Sequence, residues 1–101
     1  MVQERVCHQD DLWDGETRMV HVGGRPVLLV KMEGRLMAFQ GWCPHQAYSL
    51  EEAEFDGQTI TCAAHLWQFD GMTGKGINPR HARLKTFRVL IDAEGFASVE
   101  I

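Results

Sequence analysis

Residues 43–65 read Cys43-Pro44-His45, then sixteen residues, then Cys62-Ala63-Ala64-His65. Two cysteines and two histidines in two tight pairs form a four-ligand metal set. An S₂N₂ donor set suits zinc or an iron–sulfur centre, so ligand count alone leaves both open. Spacing narrows the choice. Structural zinc sites usually pair Cys with Cys at two to four intervening residues, and His with His at three to five. Here each pair is mixed, with one residue between its members in the first and two in the second. Mixed pairs of this kind can serve two adjacent metals.

The pattern Cys-x-His, sixteen residues, Cys-x-x-His resembles the Rieske motif, in which two His replace two Cys on one iron of a [2Fe–2S] cluster. The likeness extends beyond the ligands. Cys43-Pro44-His45-Gln46, His65-Leu66-Trp67-Gln68-Phe69-Asp70 and Thr73-Gly74-Lys75-Gly76-Ile77-Asn78-Pro79 look most like the ferredoxin components of multicomponent toluene (aromatic or alkene) monooxygenases. The ferredoxins of ring-hydroxylating dioxygenases more often carry Gly-Gly or Gly-Trp after the last ligand, where this chain has Leu66-Trp67.

The resemblance implies one Rieske [2Fe–2S] cluster, with Cys43 and Cys62 on one iron and His45 and His65 on the other. Thiolates stabilise the ferric state of their own iron, so an added electron settles on the histidine side, which in this family lies near the protein tip. It further implies an electron carrier and not a catalyst. An NADH-oxidising flavoprotein reductase supplies single electrons, and a di-iron hydroxylase accepts them to oxygenate an aromatic or alkene substrate. The second reading is the ferredoxin of a ring-hydroxylating dioxygenase. A zinc-stabilised binding module is the alternative from a different class.

At 101 residues the chain is expected to form one domain over residues 1–101, without room for an oxygenase's substrate pocket. A formal net charge of −4 argues against nucleic acid and anionic membranes as partners. Met1-Val2-Gln3-Glu4-Arg5 has no apolar h-region, and no stretch reaches the length of a membrane span. With two cysteines committed to metal, Cys7 is left unpaired, which fits a reducing cytoplasm. Electron-transfer complexes dissociate each cycle, so small, weak partner interfaces are expected; the chain itself is expected to be a monomer.

The rest of the chain reads as strands. Residues 2–7 suggest an edge strand, and residues 10–15 a turn or single helical turn ending at Gly15. Thr17–Val22 is a strand candidate, followed by Gly23-Gly24 as a two-residue hairpin signal. Val27-Leu28-Leu29-Val30 is a continuous apolar run, too short for a helix, and so a strand buried on both faces. Glu33-Gly34 turns the chain into Arg35–Gln40, which delivers Trp42 and Cys43 to the first ligand loop. After loop-like residues to Ser49 and an acidic run, Thr59–Thr61 leads into Cys62, and residues 67–69 return from it. Gly71, Gly74 and Gly76 predict an irregular stretch ended by Asn78-Pro79. Residues 87–91 and 97–101 form a closing hairpin. The class is all-β with small antiparallel sheets. The Rieske resemblance adds a barrel-like base carrying a cluster-binding subdomain of two ligand loops.

Several further residues read two ways. Trp67 is a packing aromatic that shields the cluster, or a contact residue for electron exit. Pro44, Gln46 and Pro79 are placed beside the ligands as loop-shaping or partner-contacting, with Gln46 a candidate donor to a ligand. Trp13 and Trp42 are assigned to the core, and His8, His21 and His81 to the surface. Glu51, Glu52, Glu54 and Asp56 form a solvated face that can also steer a basic partner. Gly74-Lys75 lacks the remaining residues of a phosphate loop. Respiratory Rieske proteins add a disulfide cysteine to each loop, and hydroxyls two and four residues after the final ligand. Here those positions are Tyr48, Ala64, Trp67 and Phe69, so the resemblance implies a low potential.

Overall fold

The apolar run Val27-Leu28-Leu29-Val30 sits where two cores meet, and it explains the architecture. In the computed structural model, which describes residues 2–45, 48–64 and 66–101, the first four strands are β1 (Gln3–His8), β2 (Thr17–Val22), β3 (Arg25–Met32) and β4 (Arg35–Gln40). Short strands β5 (Glu54–Phe55), β6 (Thr59–Thr61), β7 (Gln68–Asp70) and β8 (Gly76–Asn78) follow, and then β9 (Thr86–Ile91) and β10 (Phe96–Glu100). Successive side chains of a strand point to opposite faces. Val27 and Leu29 therefore join Cys7, Leu12, Val22, Ala38, Ala97 and Val99 in one core. Leu28, Val30 and Met32 face the other way, packing with Phe39, Leu50, Ile60, Phe69, Leu84 and the cysteines at 43 and 62.

The larger sheet has the order β1-β10-β9-β4-β3-β2 and is antiparallel throughout. Its two end strands approach each other, and the Gly23 N–H donates to the Glu4 carboxylate at 3.2 Å. The sheet thus curls into a nearly closed barrel, which leaves little free edge. The β2–β3 hairpin turns on Gly23-Gly24, with φ of 57° and 79°. Positive φ at both central residues is the two-residue turn whose twist matches its strands. The smaller sheet, β5-β6-β7-β8, packs over the second core.

Most elements fall where the sequence places them, and three readings need correction. β5 and β8 were not expected, because two- and three-residue strands show no alternation of their own. Residues 71–76 are irregular as expected, yet Gly76–Asn78 pairs with β7. The helical turn ends earlier, spanning Gln9–Asp11, while Gly15 occupies a separate turn. Trp13 is not core: it is 79% exposed in that turn, with its backbone N–H donating to the Glu16 carboxylate at 2.6 Å. Trp42 is half-buried. Cys7 is buried in the barrel, where loss of hydration pushes its thiol pKa up, as befits an inert thiol. No helix among the described residues is long and apolar enough to cross a membrane.

The β9–β10 hairpin offers a pH test. One Asp92 carboxylate oxygen accepts from the N–H groups of Glu94 and Phe96, each at 2.9 Å. The Phe96 N–H chiefly holds its pKa below the ordinary carboxylate value. A depressed folded-state pKa adds stability above the unfolded value, and that stability fades as pH falls through the folded one. Asp92→Ala is expected to lower Tm at neutral pH. The gap from wild type should close in acid below the usual carboxylate range, as read by thermal melts across pH. A gap that stays constant with pH would show that the charged cap contributes nothing.

Candidate metal centre

Both cysteines sit at the roots of tight hairpin loops. The first loop leaves β4 at Gln40, whose buried side chain is satisfied at both ends. Its amide donates to the Trp42 carbonyl at 2.8 Å, and its oxygen accepts from the Lys85 N–H at 2.9 Å. Gly41 follows, and a Cβ there would lie 2.8 Å from Pro26 and from the Met19 sulfur. Glycine is what lets the chain pass this close. Trp42 bridges Ser49 across the loop, and the Cys43 N–H donates to the Tyr48 carbonyl at 2.7 Å. The Ser49 hydroxyl then caps the 3₁₀ turn Leu50–Glu52, and Leu50 is fully buried below.

The second loop joins β6 to β7 and repeats the device. The Cys62 N–H donates to the Trp67 carbonyl at 2.8 Å, and the Leu66 N–H to the Cys62 carbonyl at 3.0 Å. In both loops a cysteine amide reaches the carbonyl five residues on. Leu66 is held at φ 58° with 68% of its surface exposed. That conformation costs a branched residue roughly 1–2 kcal/mol, and the closed loop enforces it.

Cys43 and Cys62 are 1% and 0% exposed, belong to one packed cluster, and are free thiols. Burial pushes the Cys43 thiol pKa up, the His45 N–H at its sulfur pulls it down, and the adjacent Cys62 thiol adds to the rise. A buried thiol such as Cys43 ionises more readily when a cation joins it. His45 is exposed at the loop tip, as is Pro44. Its ring lies against Trp67, with centroids 4.5 Å apart at 38°. His65 and Gln46 fall outside the described residues.

A third loop reaches the same place. The chain runs out along β8, through a cis Asn78–Pro79 peptide, and back, with the Gly76 N–H donating to the Ala82 carbonyl at 2.9 Å. On it His81 meets Trp67 edge-on, with centroids 5.8 Å apart at 82°. His81 is a surface residue, as read, but the fold brings it to the site. No sequence signal marks that contact, since thirteen residues separate the two rings. Trp67 is half-buried between His45 and His81. An apolar hollow on the barrel flank, lined by Leu36, Met37, Phe87, Val89 and Ile91, includes none of these residues.

Residues 3–88 match the Rieske [2Fe–2S] domain family. The chain belongs to it. This Rieske protein is 50% identical over 98 residues to the ferredoxin component of the alkene monooxygenase system of Xanthobacter autotrophicus, covering 88% of this chain and 80% of that one. It is 30% identical over 103 residues to the biphenyl 2,3-dioxygenase ferredoxin component of Rhodococcus jostii, covering 94% and 96%. Among solved structures it matches the oxidised ferredoxin in a complex with reduced oxygenase of carbazole 1,9a-dioxygenase. That match has a TM-score of 0.85 and 30% identity, over 96% of this chain and 91% of that one.

The cofactor of the Rieske protein is one [2Fe–2S] cluster of the Rieske type. The residues present fit it, because two buried cysteines packed side by side in one cluster offer the pair of sulfur donors that an iron of such a cluster takes as thiolates.

Proposed function

We propose that this protein is the electron-carrying ferredoxin of a multicomponent monooxygenase. It takes single electrons from a flavoprotein reductase and passes them to a di-iron hydroxylase that oxygenates an alkene or aromatic substrate. The 50% identity to an alkene monooxygenase ferredoxin component carries this reading. Cys43, His45, Cys62 and His65 are the proposed ligands. When bound, the cluster supplies a one-electron couple. Around it the chain divides its tasks. Cys43 and Cys62 keep sulfur away from water in the core, while His45 and Trp67 bring rings to the exposed end. A partner can reach that end without any opening of the core. We further propose that the chain acts as a monomeric, one-domain carrier in the cytoplasm.

A second reading, the ferredoxin of a ring-hydroxylating dioxygenase, draws on relatives near 30% identity and on the carbazole dioxygenase ferredoxin fold. Leu66-Trp67 after the final ligand favours the first. The test begins with the absorbance spectrum of the air-oxidised protein, followed by reduction with a flavoprotein reductase. The reduced protein is then mixed with the di-iron hydroxylase of its host. Oxidation by the hydroxylase, coupled to substrate oxygenation, is expected. A colourless zinc protein would overturn the cofactor, and electron delivery to a Rieske oxygenase alone would establish the second reading.

A further inference from the structure

Charge is distributed unevenly around the Rieske site. The chain carries −4 overall, yet residues 71–91 contain no Asp or Glu and hold Lys75, Arg80, Arg83, Lys85 and Arg88, half of its ten Lys and Arg. All five are exposed. Among the described residues none of them is ion-paired, since the pairs found there are Arg5–Asp92 and His8–Asp10. Lys75, Arg80, His81 and Arg83 line one open hollow on the third loop. Its His81 touches Trp67, and Trp67 touches His45.

The sheet order gives this patch a direction. In β5-β6-β7-β8 the acidic run, Glu51, Glu52, Glu54 and Asp56, flanks the β5 edge. Lys75 and its neighbours flank the opposite edge at β8. The β6–β7 hairpin that carries Cys62 lies between them. Three strand spacings are about 14 Å, beyond the Debye length of about 8 Å at physiological salt. The two edges therefore act as separate charges, not as one neutralised surface.

Lys75 and Arg83 also face each other across an antiparallel bridge. Like charges directly opposite are destabilising, so this arrangement costs stability in the free protein. An anionic surface docked from outside would relieve it.

We infer that the β8 edge, built on Lys75, Arg80 and Arg83 beside Trp67, docks a carboxylate-rich surface of one of the protein's electron-transfer partners. The inference rests on the carrier function proposed above. It assigns the basic edge a partner of opposite sign to the one the acidic run would attract. Charge complementarity at an exposed rim raises association rates and fixes orientation, and it weakens with salt.

The test compares wild-type holoprotein with Lys75→Glu and with the triple variant Lys75→Glu, Arg80→Glu, Arg83→Glu. Reduction by the host reductase and oxidation by the host hydroxylase are measured from low to high ionic strength. With one partner, the triple variant should raise the half-saturating ferredoxin concentration roughly tenfold at low salt and lose most of the salt dependence. The visible spectrum should stay unchanged, and the reduction potential should move only downward, as added negative charge dictates. Lys75→Glu alone should weaken docking in the same direction while raising Tm by roughly 1–4 °C, because it sets opposite charges across the bridge. A merely structural role would move Tm and docking together. Unchanged half-saturation and salt slopes with both partners would overturn the inference. A wild-type protein that exchanges electrons with neither partner would fell the carrier function itself, and this surface with it.

Discussion

Cys62→Ser is expected to reduce iron from about two per chain to almost none, remove the visible absorbance, and lower stability sharply. Cys62 is fully buried, so serine would leave a hydroxyl in an apolar core beside the Cys43 thiol. An unsatisfied hydroxyl there costs about 1–3 kcal/mol. Loss of the cluster adds to this, because metal-binding free energy in small metal domains is also folding free energy. The change is felt in the core as well, since Cys43 and Cys62 are packed in the same cluster as Leu50, Ile60 and Phe69. Cys43→Ser should behave alike. Iron and acid-labile sulfide assays with a thermal melt read both effects. A well-folded Cys62→Ser protein with full cluster content would refute the assignment of the ligands.

The second large expectation is a reduction potential at the low end of the Rieske range, roughly −150 mV as opposed to +300 mV. Hydrogen bonds to cluster or ligand sulfur favour the more negative reduced state and raise the potential. At the two positions where respiratory relatives carry hydroxyls, this chain has Trp67 and Phe69. Phe69 is 0% exposed and packs in the cluster that contains both cysteines, while Trp67 is turned to His45. The His45 N–H is a backbone donor to the Cys43 sulfur. Phe69→Tyr brings a hydroxyl into that core, where few polar partners other than sulfur are available. A new bond worth about 1 kcal/mol in the reduced state should raise the potential by roughly 40 mV, since tenfold corresponds to 59 mV for one electron. Redox titration of both proteins reads this. A wild-type potential well above zero is the outcome that sinks it, whereas a silent Phe69→Tyr shows that the hydroxyl misses the sulfur.

What could be read without coordinates was local. Gly23-Gly24 and Glu33-Gly34 mark turns through backbone conformations that their own residues dictate, so β2 and β4 fall at their expected bounds, while β3 extends the expected run to Arg25–Met32. The run Val27-Leu28-Leu29-Val30 announces burial on both faces, because no alternation is left to give one face to water. The proposed ligand set rests on the spacing of the two Cys/His pairs, which is also local.

Tertiary structure decided the rest. β5 and β8 exist because β6 and β7 offer ladders to pair with, and two or three residues carry no periodic signal of such a partner. Trp13 looks like core by side chain, but its place in a turn between elements leaves it exposed. His81 reaches Trp67 only because the third loop folds back. The opposition of acidic and basic edges across the site is a property of strand order. Sequence lists charges along a line, and the sheet determines which of them stand on opposite sides of the hairpin that carries Cys62.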